Sequence, residues 1–370
     1  ICLPADAPYS TNILVTAGQT YMLMINNSQG ASAGFTLDFG PGSPVGYSSP
    51  ATLDWSGGAN NVWSDLNNWG GCGTPSCVTS ASIAGGGIIN QPVISANEQV
   101  KDVFIGPTGI LTINPGVTLQ VCGNFTNNGT LNASPTSTIE FVGTANQTIN
   151  GNITTTNRFG NLVINKGGGS VSLNATVEVG RDFTTQNGTS VLNCNGQTLA
   201  IVGNFNNFNG TTTFQSPAGS TLRFIGNAPQ TFTNIGSNLT LNNVTMAQTI
   251  NSSVALGAGA FNNMILGTSG ILTLTNGKII TGANEVVITN TAGAAATIGG
   301  TSSFVQGWLR RYFGTSLASY EFPVGEATQG WERATLEFTT PPAAPYNVVM
   351  RFLRWGVGPN LPLVVGPFPP

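Results

Sequence analysis

Short apolar segments alternate with turn residues along most of this chain. Between about residues 83 and 304 they include ILTI, VTLQV, TIEFV, NLVI, TLAIV and TLRFI, separated by Gly, Asn and Ser. In VTLQV, a period of two places Val117, Leu119 and Val121 on the face opposite to the intervening polar residues. Segments of this length and alternation predict β-strands, and helix signals are nearly absent.

A glycine–phenylalanine motif returns four times in the sequence. It occurs in TLQVCGNFTNNGT (118–130), TVEVGRDFTTQNGT (176–189), TLAIVGNFNNFNGT (198–211) and, more weakly, VALGAGAFNNMILGTSG (254–270), with the phenylalanines Phe125, Phe183, Phe205 and Phe261. Two copies of a pattern of about 80 residues therefore follow each other, with a step of about 22 residues inside. Residues 121–149 also align with residues 201–232 with small insertions only. Repetition of this kind predicts a stacked solenoid.

The predicted fold is all-β, a parallel β-helix with coils of about 20 to 22 residues and on the order of ten coils. The main rival is a string of immunoglobulin-like sandwiches, because about 80 residues is also close to the size of one such domain. A sandwich has no reason to repeat the same Gly-x-Phe corner one coil later. The short internal step therefore favours the β-helix.

Changes in residue composition and in the apolar pattern divide the chain into four predicted regions. Residues 1–50 contain two alternating apolar segments and predict the end of an N-terminal β-sandwich domain. Residues 51–102 are rich in Trp and Gly and are predicted to form a linker and a cap for the solenoid. Residues 103–303 are predicted to form the β-helix repeats, and residues 304–370 the start of a C-terminal β-sandwich domain. The chain opens on Ile1 without a leader and stops at GPFPP, so we expect it to be a piece of a larger polypeptide.

Two groups of aromatic residues have both a functional and a structural interpretation. Trp55, Trp63 and Trp69 form either a sugar-stacking platform or a plug for the first coil, and we favour the plug because a solenoid needs a terminal cap. The region after Phe304 holds most of the arginines. It predicts either a ligand surface with cation–π contacts or a packing surface, formed by Trp308, Arg310, Arg311, Trp331 and Arg333, with Arg351, Arg354 and Trp355 nearby.

The amino-acid composition limits the kinds of partner that the protein is expected to bind. Charged residues are only 7% of the chain, Gly accounts for 49 of 370 residues, and Asn, Thr and Ser fill the polar positions, as is typical of extracellular β-structure. The net charge of -3 leaves no basic stripe for phosphates, so we expect no nucleic-acid partner. No apolar run is long enough to cross a bilayer, so we expect no membrane insertion.

The five cysteines suggest one disulfide. Cys72 and Cys77 lie in the short GCGTPSC loop and are predicted to bond, while Cys2 has an expected partner upstream of this chain. Cys122 and Cys194 are about three coils apart, roughly 14 Å at the strand spacing, beyond the roughly 7 Å limit for bridging. Both are predicted to be buried as small apolar groups.

The sequence offers little catalytic chemistry. Histidine is absent, which removes the commonest general base and the usual zinc ligands. The carboxylates of the repeat region are Glu140, Glu178, Asp182 and Glu285, and no calcium-loop pattern is present. We predict no enzyme activity, no catalytic or metal-binding residue and no cofactor.

The sequence resembles the large secreted surface proteins of Bacteroidota, the gliding-adhesin-like cargo of the type IX secretion system. The resemblance rests on AGQTYMLMINN with GFTLDFG, on WSGGANNVWSDLNNW, on LTINPGVTLQVCGNFTNNGTL and on YEFPVGEATQGWERATLEF. It implies a multi-domain protein exported to the cell surface by the type IX machinery and engaged in adhesion, surface motility or assembly of an extracellular layer.

The predicted function is a structural and adhesive module, a rigid solenoid stalk that makes weak multivalent contacts with glycans or surface polymers. Its other expected partners are further domains of the same larger chain. Two alternatives remain open: a carbohydrate-active β-helix enzyme, a polysaccharide lyase or hydrolase, and a subunit of an extracellular filament.

Overall fold

The computed structural model describes residues 51–70, 73–249, 252–297, 299–316, 318–328 and 330–352. Strands make up 49% of the structure and helices 4%, and the described strands wind into about 11 turns of parallel β-solenoid. The predicted all-β class and parallel β-helix are confirmed. The chain divides into two compact units, Ile1–Ala175 and Thr176–Pro370. The sandwich predicted for residues 1–50 lies outside the described residues.

The described part of the first unit contains fourteen strands and two 3-10 helices, Leu66–Asn68 and Thr155–Asn157. The strands are β1 (Thr52–Trp55), β2 (Trp69–Gly70), β3 (Ser80–Ile83), β4 (Val93–Ile94), β5 (Glu98–Val100), β6 (Val103–Ile105), β7 (Ile110–Ile113), β8 (Thr118–Val121), β9 (Phe125–Asn127), β10 (Thr130–Ala133), β11 (Thr138–Phe141), β12 (Gln147–Gly151), β13 (Asn161–Ile164) and β14 (Ser170–Leu173).

Three parallel sheets form the walls of the first unit. One joins β1, β3, β6, β9, β12 and β14, with β2 antiparallel to β1. A second joins β4, β7 and β10, and a third joins β5, β8, β11 and β13. The register stacks apolar residues on each other, since Leu119 pairs with Ile139 and Ile139 with Leu162, and all three are buried. Val117 and Val121 are also buried, as their alternation predicts.

Parallel pairing begins earlier than the predicted boundary at residue 103. Strand β1 already pairs in parallel with β3, inside the segment predicted to be a linker and cap. Trp55, Trp63 and Trp69 fill the interior of this coil, each at most 3% exposed and packed edge to face at 4.8–4.9 Å between ring centroids. Buried rings cannot stack on a sugar, so the interpretation as a structural plug is the one that the structure supports.

The described part of the second unit contains eighteen strands, one short α-helix, α1 (Gly210–Thr213), and one 3-10 helix, Gly293–Ala295. The strands are β15 (Val177–Val179), β16 (Phe183–Thr185), β17 (Val191–Asn193), β18 (Thr198–Ile201), β19 (Phe205–Asn207), β20 (Phe214–Gln215), β21 (Thr221–Phe224), β22 (Gln230–Asn234), β23 (Thr240–Leu241), β24 (Asn243–Ala247), β25 (Ser253–Leu256), β26 (Met264–Leu266), β27 (Leu272–Asn276), β28 (Lys278–Ile288), β29 (Val305–Phe313), β30 (Ser319–Glu326), β31 (Gly330–Glu337) and β32 (Tyr346–Met350).

The coils of the second unit stack in the same parallel manner. One sheet joins β15, β18, β21, β24 and β27, and another joins β16, β19, β22, β25 and β28. The shorter pairs are β17 with β20, β23 with β26, and β26 with β28. Inside, the rings of Phe183, Phe205 and Phe232 stack on each other at 5.4 and 5.0 Å between centroids.

The fourth copy of the phenylalanine motif does not follow the first three. Phe125, Phe183 and Phe205 are fully buried, whereas Phe261 is 39% exposed. Leu256 pairs with Phe232 in the core, and the neighbour of Phe261, Asn262, is buried instead. The motif is therefore shifted in this coil, and its phenylalanine lies on the surface.

The region after Phe304 continues the solenoid sheet rather than starting a separate sandwich in the described residues. Strand β29 pairs in parallel with β28, and β30 pairs in parallel with the first residues of β29. The direction then changes, because β31 is antiparallel to β30 and β32 is antiparallel to β29. The predicted C-terminal sandwich is not confirmed.

Corner residues tie each coil to the next. In the first unit, Asn124 Oδ1 accepts hydrogen bonds from both the backbone N–H and the hydroxyl of Thr148, each at 2.9 Å. In the second unit, Asn204 Oδ1 accepts the same two bonds from Thr231, at 2.9 and 3.0 Å. The side chain of a corner asparagine therefore joins its own coil to the coil that follows it, and we call this pair of hydrogen bonds a corner clasp.

The disulfide predicted within the GCGTPSC loop is wrong. Cys77 is bonded to Cys122, with the two Cα atoms 5.3 Å apart, and Cys72 lies outside the described residues. Stacking explains this pairing: Lys101 N–H donates to the carbonyl of Thr79, and Gly123 N–H donates to the carbonyl of Lys101. Thr79 and Gly123 are therefore two coils apart, and Cys77 reaches past the corner at Lys101 to bond with Cys122. Cys194 is free and buried, as predicted. The same prediction for Cys122 is wrong, because Cys122 is bonded to Cys77 and is partly exposed.

Candidate ligand surface at the C-terminal sheet

Strand β29 carries two adjacent arginines, Arg310 and Arg311, whose side chains lie on opposite faces of the sheet. Its side chains alternate between interior and surface, so Arg311 is buried with Phe313, whereas Arg310 is partly exposed. The register of β29 against β28 shifts around Gly307, where a φ of 128° and the close approach of Thr281 leave no room for a Cβ atom. The predicted group of Trp and Arg residues is therefore divided between different faces.

Trp308 and Arg310 lie with Glu285, Asn347 and Arg351, and we call these five residues the Trp308 group. Arg310 donates from Nε and Nη2 to the Glu285 carboxylate at 2.7 and 2.9 Å, and from Nη1 to Asn347 Oδ1 at 2.7 Å. The hydrogen bond with Glu285 raises the pKa of Arg310. The guanidinium of Arg351 lies 3.9 Å from the centroid of the Trp308 ring. Arg310 and Glu285 therefore form an ion pair, and Arg351 makes a cation–π contact with Trp308.

Arg311 is fully buried and holds backbone carbonyls. Its Nη1 donates to the carbonyl of Glu321 at 2.8 Å, and its Nη2 donates to those of Ala292 and Gly293 at 2.9 and 3.1 Å. Burial lowers the pKa of Arg311 to about 10, which leaves the guanidinium charged at neutral pH. The side chain joins the 3-10 helix to strand β30 and has a packing role.

Glu321, Trp331, Arg333 and Thr335 lie on one face of the β30–β31 hairpin, because Glu321 pairs with Thr335 and side chains alternate along both strands. We call these four residues the hairpin group. Arg333 donates to the Glu321 carboxylate from Nε at 2.8 Å and from Nη2 at 2.5 Å, and the Thr335 hydroxyl donates to it at 3.1 Å. The hydrogen bond from Arg333 lowers the pKa of Glu321, so this group is a carboxylate at neutral pH.

An open depression of about 500 Å³ lies beside the hairpin group, and we call it the hairpin cavity. Its wall combines one carboxylate with small side chains and one hydroxyl, from Leu274, Gly293, Ala294, Ala296, Thr297, Gly299 and Glu321. Gly299 has a φ of 75°, and a Cβ atom there would come within 2.7 Å of the Ser303 carbonyl oxygen. The backbone of the wall therefore requires glycine at this position.

The indole of Trp331 packs behind Gly299, one of the residues of this wall. Its Nε1 would lie 3.5 Å from a Cβ atom on Gly299. This N–H is shielded from solvent and has no hydrogen-bond partner among the described residues. A shielded donor without a partner costs free energy, so it marks a place where an acceptor would be stabilising.

A larger open depression of about 730 Å³ lies in the first unit. It follows the stacked turns of successive coils, and its polar lining includes Asn114, Asn132, Thr155, Thr156 and Arg158. Thr155 has a φ of 55°, which is unusual for a β-branched residue. This depression is a second surface on which a polar ligand would find donors and acceptors.

The carboxylates of the repeats have structural partners. Glu140 accepts hydrogen bonds from Gln120 at 2.8 Å and from Asn165 at 2.7 Å, within a ladder of polar side chains on one sheet. Asp182 lies 3.9 Å from Arg181 and accepts the backbone N–H of Asn204 at 2.7 Å. Such contacts join neighbouring coils.

The structure brings some of the predicted ligand residues together and separates others. Trp331 and Arg333 share the hairpin face, Trp308 and Arg310 share a second group, and Arg311 is buried. Sequence reasoning missed Glu321, although the alternation in YEFPVG places it opposite to the buried Tyr320 and Phe322. It also missed the cavity wall, since no local pattern shows that residues near Gly293 face strand β30.

No protein-family model, curated protein or solved structure matches this chain. In the described residues, no three acidic or cysteine side chains come close enough together to hold a metal ion. No helix in the described ranges is long and apolar enough to cross a membrane.

Proposed function

We propose that this chain is a structural and adhesive module of a large secreted cell-surface protein. Its solenoid serves as a rigid stalk that presents binding surfaces for adhesion or surface motility. The observation that carries the proposal is the stacking of parallel strands from coil to coil within each unit, which places apolar residues on apolar residues. A solenoid is consistent with a structural repeat module, since each coil is stabilised by its neighbours.

Two further features support a mechanical role. Corner residues such as Asn124 and Asn204 clasp the following coil, so separating two coils breaks side-chain bonds as well as the strand ladder. The Cys77–Cys122 disulfide adds a covalent link between coils. Disulfides persist in oxidising compartments, which supports export from the cytosol.

The surface chemistry supports weak adhesion. Outward positions of the strands carry mostly Thr, Asn, Gln and Ser, which donate and accept hydrogen bonds without a strong charge. Repeated polar rungs of this kind suit multivalent contact with glycans or surface polymers. The proposed partners also include other domains of the same larger chain and, by resemblance, the type IX secretion machinery.

Antibodies against the purified chain test the location. We expect them to label intact cells that produce the protein, and we expect protease added outside these cells to remove the label. Labelling that requires permeabilised cells would contradict the proposal.

Beads coated with the purified chain test adhesion. We expect them to attach to producing cells or to immobilised polysaccharides more strongly than uncoated beads do. Release of new reducing ends or unsaturated sugars from a polysaccharide, lost on substituting Glu140→Gln or Glu178→Gln, would instead support a carbohydrate-active enzyme.

A further inference from the structure

We propose that the hairpin cavity binds one neutral pyranose residue of a glycan. This inference rests on the proposed adhesive function and names a contact point for it. The cavity has a volume of about 500 Å³, within the range of small-molecule sites. Its small apolar wall, which includes Ala294 and Ala296, complements the C–H face of a sugar ring.

The polar part of the site suits hydroxyl groups that both donate and accept. Glu321 accepts three hydrogen bonds from Arg333 and Thr335, and a carboxylate has about four acceptor positions, so it retains capacity for one sugar hydroxyl. Arg333 uses two of its five N–H donors on Glu321. Its side chain is 45% exposed, so the remaining donors are accessible. One acceptor beside several donors fits adjacent hydroxyls of one ring.

Trp331 supplies the third element of the site. Its N–H lacks a partner among the described residues and lies beside Gly299 on the cavity wall. The indole ring lies on the hairpin face that also carries Glu321 and Arg333, where it offers an apolar surface to the C–H groups of a sugar. No other aromatic residue of the hairpin group can do this.

Charge argues for a neutral sugar. Glu321 is ionised at neutral pH because the hydrogen bond from Arg333 lowers its pKa. Its charge is paired with that of Arg333, so the site has no net charge to bind a uronic acid, whereas the carboxylate can still accept a hydroxyl hydrogen. Arg311, behind the wall, is committed to three backbone carbonyls.

The test uses the purified chain on a panel of neutral gluco-, manno- and galacto-oligosaccharides together with polyuronates, followed by calorimetry on those that bind. We expect binding of at least one neutral oligosaccharide. Glu321→Gln removes the ionised acceptor, and Ala294→Trp fills the cavity from an exposed position. We expect each substitution to weaken binding by about tenfold or more, as for a lost charged hydrogen bond.

The matched control is Glu285→Gln. Glu285 also holds an arginine through two hydrogen bonds, but in the Trp308 group, so we expect this variant to bind as the unaltered chain does. Circular dichroism and the thermal midpoint show that each variant is folded, and Ala294→Trp leaves the Glu321–Arg333 pair in place. Weaker binding by both Glu321→Gln and Ala294→Trp, in variants that remain folded, therefore reports loss of the binding site and not loss of structure.

Several outcomes would overturn the inference: no binding of any neutral oligosaccharide, binding of polyuronates alone, or full binding by folded Ala294→Trp. Loss of binding in Arg158→Ala with full binding in Glu321→Gln would move the site to the depression of the first unit. These results are distinct from failure of the proposed function, which depends on surface labelling and adhesion by any part of the chain.

Discussion

Lys166 and Gln248 occupy the same place in two different coils. Lys166 Nζ donates to the side-chain carbonyl of Gln147, and Gln248 Nε2 donates to that of Gln230. The two acceptors are themselves equivalent, because each donates to two backbone carbonyls at a corner of the preceding coil. The position that Lys166 and Gln248 share in the repeat therefore accepts either a charged or a neutral hydrogen-bond donor.

This equivalence predicts how stability depends on Lys166. The side chain is fully buried, and burial lowers its pKa from 10.5 to about 8. Lys166→Gln removes a buried charge while keeping a donor, so we expect the variant to be more stable than the unaltered chain at pH 7 by roughly 1–3 kcal/mol. Urea unfolding measures this difference, with exposed Lys101→Gln as the control that removes the same charge elsewhere.

This first prediction extends to the pH dependence of the free energy of unfolding. Between about pH 8 and 10.5 the folded chain has lost the Lys166 proton while the unfolded chain still holds it. The unfolded state then binds more protons, so the free energy of unfolding rises with pH across this window. We expect the rise in the unaltered chain and in Lys101→Gln, and a flatter curve in Lys166→Gln. Equal slopes in all three proteins would refute the assignment.

The disulfide gives a second prediction. We expect non-reducing peptide mapping to recover a peptide pair that contains Cys77 and Cys122. Cys77→Ser with Cys122→Ser should lower stability by about 2–4 kcal/mol, because the bond closes a loop with a sequence separation of 45. Cys72→Ser is the control and should not alter the Cys77–Cys122 pair. Recovery of Cys72 bonded to Cys77 would contradict the structure.

The corner clasp gives a third prediction. Asn124→Ala removes the acceptor for two hydrogen bonds from Thr148, so we expect a loss of about 1–2 kcal/mol. Asn128→Ala changes an exposed asparagine of the same coil and should have little effect. Urea midpoints compare the two variants, and equal losses would argue against a clasp.

The phenylalanines give a fourth prediction. Phe205 is fully buried between two stacked rings, so Phe205→Ala should cost about 3–5 kcal/mol. Phe261 is largely on the surface, so Phe261→Ala should cost about 0.5 kcal/mol or less. Thermal midpoints distinguish the pair. Similar losses would place Phe261 in the core, as the repeat pattern alone had suggested.

Local patterns and long-range contacts differ in how well they could be predicted. Alternation identified Val117, Leu119 and Val121 as inward residues, because successive side chains of a β-strand point to opposite faces of the sheet. The division of Arg310 and Arg311 between two faces follows from the same rule, although composition alone grouped them. Cys77 and Cys122 could not be paired in advance, since nearness in sequence pointed to Cys72.

The sequence by itself determined the β class, the parallel coils and the inward positions of Phe125, Phe183 and Phe205, because strand period and repeat length can be read along the chain. Only the tertiary structure decided which corner lies over which: Cys77 near Cys122, Lys166 against Gln147, and the 3-10 helix beside Glu321. The physical reason is that coils differ in length. The register between two coils depends on every turn and insertion between them, and small errors at each corner add up along the chain.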